Sequence, residues 1–308
     1  MEGSAVTEQD AGALEESSSQ GSTRPSLSPS IGTGASRQPA YGLGIVVSIG
    51  VAAALLILAI LAIGDPEGSG APLFQTTSGI FWGLAVVVLI GVAAGAQYAE
   101  QSAARAAAAV GHPRPSNAMA TAWTVPFVGT LAAILLVATY HNQALLVAGP
   151  AIAFLSTAGA LFSRDLLDDV DESSLRTATT IHTFIIHAVA FLALSGVYLN
   201  KLSSWVAAPL VGIIATLLIL ETLERGTIGP GRRVFYALLG GAAMAEAMIA
   251  LNWWPTHGWT GGAVLLVCFY LAAGVLLARS QRSSVRSRDL VEFGVVSAVA
   301  LLFLAATA

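Results

Sequence analysis

The sequence predicts an all-α integral membrane protein: a polytopic helical bundle of about nine transmembrane helices with its N-terminus in the cytoplasm. Composition is the first ground. The 308 residues are 55% hydrophobic and 10% charged, with a mean hydropathy of +0.74. Soluble domains carry about 25% charged residues, and a soluble fold of this size needs more polar surface than the chain supplies. The second ground is a series of nine long apolar runs. The third is the placement of positive charge between them.

Residues 1–40 differ from the rest. They hold nine Ser, five acids and few large apolar side chains, too little apolar surface to offset the entropy of ordering. They are expected to form a disordered cytoplasmic tail, ahead of a transmembrane domain over 41–308. The acidic start lacks the basic region of a cleaved signal peptide, so the first apolar run is expected to act as an uncleaved anchor.

Crossing a hydrocarbon core takes about 20 apolar residues as helix. The runs that meet this lie at about 42–64, 78–97, 121–140, 144–163, 180–199, 205–222, 233–253, 259–279 and 289–307. They are continuously apolar, whereas barrel strands are about ten residues long and alternate. Pro126, Pro150 and Pro209 fall inside runs, where a missing N–H can kink a helix. Gly91 and Gly95 form a GxxxG spacing that marks close helix packing.

Nine helices place the N-terminal tail and every second loop on one side. That side and its flanks hold all thirteen Arg, and the other side holds only Lys201. Positive charge stays in the cytoplasm, which sets the orientation, supports the helix count and indicates the cytoplasmic membrane. Trp and Tyr cluster near the run ends, as interfacial residues do.

Glu246 is the most informative single residue. It lies in the seventh run, about 10 Å from Trp253 at the boundary. An intramembrane carboxylate is costly and marks a functional site by default. The small residues Ala242, Ala243 and Ala250 around it read as a packed face, which aims Glu246 into the bundle as a proton or cation site. His187 and Tyr270 are the other intramembrane candidates. His187 suits a proton relay, and the Tyr270 hydroxyl needs a partner, for which Glu246 is a candidate. His182 lies nearer the boundary, and a spacing of five turns it away from His187. Glu221 and Glu224 end the sixth run. Asp289 and Glu292 begin the ninth, where the helix dipole favours negative charge, and Glu292 is kept as a cytoplasmic-side candidate.

The densest charge run is 164–172, with Asp165, Asp168 and Asp169 as candidates. Acidic clusters can hold magnesium for a diphosphate. Intramembrane prenyltransferases, also nine-helix proteins, use two Asp-rich loops, but here the loop after the second run has Glu100 and no Asp. Leu166, Leu167 and Val170 share a face with Phe162, so the fourth helix is expected to continue as an amphipathic stretch with a solvated acidic face. No catalytic, metal-binding, cofactor-binding or nucleotide-binding motif is found. The one Cys, Cys268, allows no intramolecular disulfide.

One resemblance rests on Glu246, Asn252-Trp253-Trp254-Pro255, Gly261-Gly262, Phe269-Tyr270, Gly274 and Glu292-Phe293-Gly294. Over about 235–295 the chain resembles an uncharacterised prokaryotic family of polytopic membrane proteins. The resemblance implies no activity and singles out Glu246, Tyr270 and Glu292 for testing.

Three function classes follow, in this order. The first is a proton- or ion-coupled transporter or permeation protein. The second is a non-catalytic structural or assembly subunit of a membrane complex. The third is a membrane enzyme on a lipid or isoprenoid substrate, which needs the acids of 165–172 to hold a metal. The expected partners are the lipid bilayer and other membrane proteins or a second copy of the chain, with no nucleic acid.

Overall fold

The computed structural model describes residues 41–64, 70–109, 120–167, 172–224, 228–254, 258–281 and 287–307. The tail at 1–40, residues 168–171 of the acidic run with Asp168 and Asp169, and Pro255 lie outside the described residues. Among the described residues the architecture is all-helical: α1 (Tyr41–Ala62), α2 (Gly79–Ala109), α3 (Thr124–Tyr140), α4 (Leu145–Leu167), α5 (Glu172–Leu199), α6 (Ser204–Leu223), α7 (Pro230–Trp253), α8 (Trp259–Gln281) and α9 (Ser287–Thr307), with a short 3-10 turn at Pro72–Phe74. Each apolar run became one helix. Seven helices are long and apolar enough to cross a membrane, whereas α3 and the apolar part of α9, Val291–Ala306, are shorter.

The short α3 is the centre of the bundle. Thirteen of its 17 residues are buried, and α1, α2, α4, α5 and α6 all pack on it. A helix apolar on every side belongs inside. One hydrophobic cluster joins α3 to α1, α2 and α4 through Leu55, Leu58, Phe81 and Ile134. A second joins it to α5, α6, α7 and α8 through Leu194, Ile214, Leu218 and Phe269.

Small residues set the closest crossings. A Cβ on Gly241 of α7 would meet the Gly212 carbonyl of α6 at 2.6 Å, and one on Gly262 of α8 would meet the Ser195 Cα of α5 at 2.8 Å. Backbones this near exclude any side chain. Of the GxxxG pair, Gly95 lies against Val47 of α1, and nothing approaches Gly91.

Three expectations are corrected. Pro126 sits in the first turn of α3, where its missing N–H has no helical partner to lose; Pro150 and Pro209 do lie inside their helices. The loop expected from 98 is helical to Ala109, because its Ala-rich stretch has the strongest helix propensity. The segment before 180 is helical from Glu172.

At the opposite end of the bundle from the arginines, Asn200 ties three elements together. Its side chain accepts from the Leu73 N–H at 2.9 Å and donates to Thr139 Oγ1 at 2.8 Å and the Gly196 carbonyl at 2.7 Å. Lys201 follows in a left-handed conformation, φ 45°, with its ammonium 3.6 Å from the Tyr198 ring centroid.

Candidate functional site

The main concentration of buried charge among the described residues lies where α4 and α6 end, beside the last third of α2. Arg164, in the last turn of α4, is its hub and is 7% exposed. Its guanidinium forks onto Glu221 of α6: Nε donates to Oε1 at 2.8 Å and Nη2 to Oε2 at 2.5 Å. Nη1 donates to Glu100 of α2 at 3.1 Å, and Nη2 also reaches Glu224 and Thr121. Thr121 in turn donates to Glu224, and Thr124 donates to Glu221 at 3.2 Å. One cation thus serves three carboxylates brought from two helices. The planar fork matches a carboxylate in a way an ammonium does not.

His182 of α5 completes the network. Its Nδ1 lies 2.8 Å from Ser163 Oγ and its Nε2 lies 3.2 Å from Glu221 Oε1. The second approach has ion-pair distance without hydrogen-bond geometry, leaving Nε2 without a formal partner. Adding a proton to this ring creates a second cation beside Glu221, in competition with Arg164.

Two apolar clefts reach this network from different sides. One, about 440 Å³, lies among α1, α2 and α4 and has Glu100 and Asp165 in its wall. The other, about 410 Å³, lies among α5, α6, α8 and α9 and has His182 in its wall. His187 and Tyr270 line that second cleft as well, with their ring centroids 6.0 Å apart. His187 Nδ1 lies 2.8 Å from the Thr183 carbonyl, and Tyr270 meets Phe293 edge-on at 5.6 Å.

The sequence candidates separate accordingly. His187 and Tyr270 come together, and Asp165 lines the opposite cleft. Glu292 is exposed near the start of α9. Glu246 does not join them. The packed face of α7 is Ala237, Gly240, Gly241, Met244, Met248 and Leu251; Glu246 is exposed on the other face. The expectation that Glu246 points into the bundle is thereby corrected. Ala242, Ala243 and Ala250 lie on the outward face, whereas Gly240 and Gly241, with Ala245 beside Gly212, face α6. Tyr270 is not its partner. Among the described residues, no group of three His, Cys, Asp or Glu side chains has the geometry of a metal site.

Sequence reasoning missed Arg164, Glu221, Glu224, Glu100 and His182 as one unit. A signal was present. Two carboxylates in the last turn of a helix oppose its dipole, so Glu221 and Glu224 called for a cation. The positive-inside pattern uses Arg164 as a marker of orientation and the 164–172 charge run begins on it, and His182 falls near a run boundary although it is 4% exposed.

Neither a curated protein nor a solved structure matches the chain. Residues 64–307 match the family described as protein of unknown function, DUF5656. That match begins just past α1, runs through α9 and takes in the whole Arg164 network, and the chain belongs to this DUF5656 family.

Proposed function

We propose that this chain is a nine-span protein of the cytoplasmic membrane, N-terminus inside, that couples proton or cation movement to a change of pairing in the Arg164 network. The observation that carries this reading is a buried guanidinium shared by three carboxylates, with His182 against the same Glu221 and in the wall of a cleft. Buried ionisable groups that face the bundle interior mark ion and proton pathways. Removing one proton or adding one cation here redistributes the bonds that hold α2, α4 and α6 together.

Three buried hydroxyls, on α3, α4 and α5, support a path away from this site. Thr130 of α3 and Thr157 of α4 lie about 10 Å deeper, and Ser195 of α5 about 20 Å deeper than His182. All three hydroxyls are buried without a protein partner, and such groups are ordinarily satisfied by water. Beyond them lie Thr139 and Asn200.

Proteoliposomes with an enclosed pH-sensitive dye test the reading. An inward sodium or potassium gradient should drive proton movement in the wild type. Glu221→Gln should lower the rate at least about tenfold, a loss equal to about 1.4 kcal/mol in the barrier, while Glu292→Gln should leave it unchanged. Wild-type vesicles that behave as protein-free ones, or a Glu221→Gln rate equal to wild type, would refute it.

A second reading, a subunit of a membrane assembly, is favoured by the outward placement of Glu246. It predicts a stable partner on α7 and no flux from the chain alone.

A further inference from the structure

The bonds around His182 fix the state of one ring nitrogen and leave the other free to change. Its Nε2 faces Glu221 Oε1 at 3.2 Å. Both Glu221 oxygens accept from the Arg164 fork, the bonding of a carboxylate, which accepts and does not donate. A bare Nε2 would set its lone pair against that oxygen. Nε2 therefore carries hydrogen whether the ring is neutral or charged.

Nδ1 differs. It lies 2.8 Å from Ser163 Oγ, and the same oxygen lies 3.0 Å from the Ala160 carbonyl one turn back. A serine hydroxyl has one hydrogen to give and lone pairs to accept with. Turned to Nδ1, it donates to a neutral ring. Turned to Ala160, it presents a lone pair and accepts from the Nδ1–H of a charged ring. Nδ1 keeps its bond either way, which matters because both side chains are buried and a bond lost there is costly. Among the described residues, the ionisable groups around the ring are Glu221 of α6, with Arg164 of α4 and, on the same guanidinium, Glu100 of α2 and Glu224. Tyr270 of α8 and His187 of α5 share its cleft.

We infer that the network takes up a proton at His182 Nδ1 and that Ser163 is the positioning residue for it, its hydroxyl turning from the ring to the Ala160 carbonyl as the proton arrives. The inference rests on the coupling reading for its use in transport and names the coupled ion as the proton.

Magic-angle-spinning NMR of the full chain in lipid, with isotope-labelled histidine nitrogens, tests it; His182→Gln assigns the signals. At high pH the ring should be neutral with its hydrogen on Nε2, and on acidification it should gain hydrogen on Nδ1. Ser163→Ala removes a donor from the neutral ring and an acceptor from the charged one. Bonds to a charged group are the stronger, so the ratio of charged to neutral ring at a given pH should fall about tenfold. Ser163→Thr keeps the hydroxyl and should restore the wild-type ratio, which repaired packing alone would not do. The wild-type tautomer decides the matter even where a variant fails to fold. A neutral ring with its hydrogen on Nδ1, a ring that does not titrate while the protein stays folded, a ratio unchanged by Ser163→Ala, or one as low in Ser163→Thr would overturn the inference. The proteoliposome flux assay separates the two claims. A titrating Nε2–H ring in a chain without flux retires the transport reading and keeps the proton site, whereas flux with a ring that does not titrate keeps that reading and overturns the site.

Discussion

Replacing Arg164 should destabilise the protein more than replacing any one of its carboxylates. The reason is stoichiometric. Arg164 alone pairs with Glu100, Glu221 and Glu224 together among the described residues. Their side chains are 9%, 2% and 16% exposed. Arg164→Met takes this cation away from the buried Glu100 and Glu221 and the half-buried Glu224. Breaking a buried ion pair from one side costs about 3–5 kcal/mol, and the bidentate bond to Glu221 places this case at the upper end. Glu221→Gln keeps an acceptor and leaves Arg164 paired with two other acids, so its cost is that of a charged hydrogen bond, about 1.5–3 kcal/mol. Glu224→Gln, the most exposed of the three, should cost about 1 kcal/mol or less. Unfolding in mixed micelles, followed by circular dichroism or proteolysis, measures each value. The double variant Arg164→Met/Glu221→Gln completes a cycle whose coupling should exceed about 1 kcal/mol. An Arg164→Met cost below that of Glu221→Gln, or a coupling under about 0.5 kcal/mol, would refute the hub geometry.

Other consequences follow from the same packing. Gly241→Ala should destabilise by about 1–3 kcal/mol, because its Cβ has no room between α6 and α7; Gly91→Ala, with nothing near it, should be neutral or slightly stabilising in the same unfolding assay. Asn200→Ala should cost about 1–3 kcal/mol by leaving the Leu73 N–H unpaired, and hydrogen exchange should rise first at the Pro72–Phe74 turn. At the same end, burial holds His141 below its ordinary value of 6.5. The folded protein therefore keeps this ring neutral where the unfolded chain protonates it, so its stabilising contribution is present above that value and is lost as pH falls. The stability difference between wild type and His141→Gln should shift against the wild type between about pH 7 and pH 5, measured as the thermal midpoint.

Long apolar runs made most helices legible, because in a membrane a backbone must satisfy itself within the run. Their ends were less so. The Ala-rich stretch after Gln97 has no apolar excess to mark it, yet its propensity carries α2 to Ala109. The direction of a side chain was harder still. Ala neighbours suit a packed face and a lipid face equally, and the glycines at 240 and 241 decided which side of α7 turned inward. That reversal moved Glu246 from the bundle to its surface. The Arg164 network was the least legible part. Its members are 19 to 103 residues apart in the bonds that join them, and only the three-dimensional arrangement brings them together. The spacing of His187 and Tyr270 likewise gave no hint that α5 and α8 bring them to one cleft.

The most direct measurement is charge displacement on proteoliposomes adsorbed to a solid-supported membrane, after a rapid jump in proton or sodium concentration. A transient current records binding within the protein even when no transported solute is known. The expected result is a saturable transient in the wild type and in Glu246→Gln that is lost in Glu221→Gln and altered in pH dependence by His182→Gln. No transient above protein-free vesicles, or one that survives Glu221→Gln and His182→Gln unchanged, would contradict a coupling role for the Arg164 network.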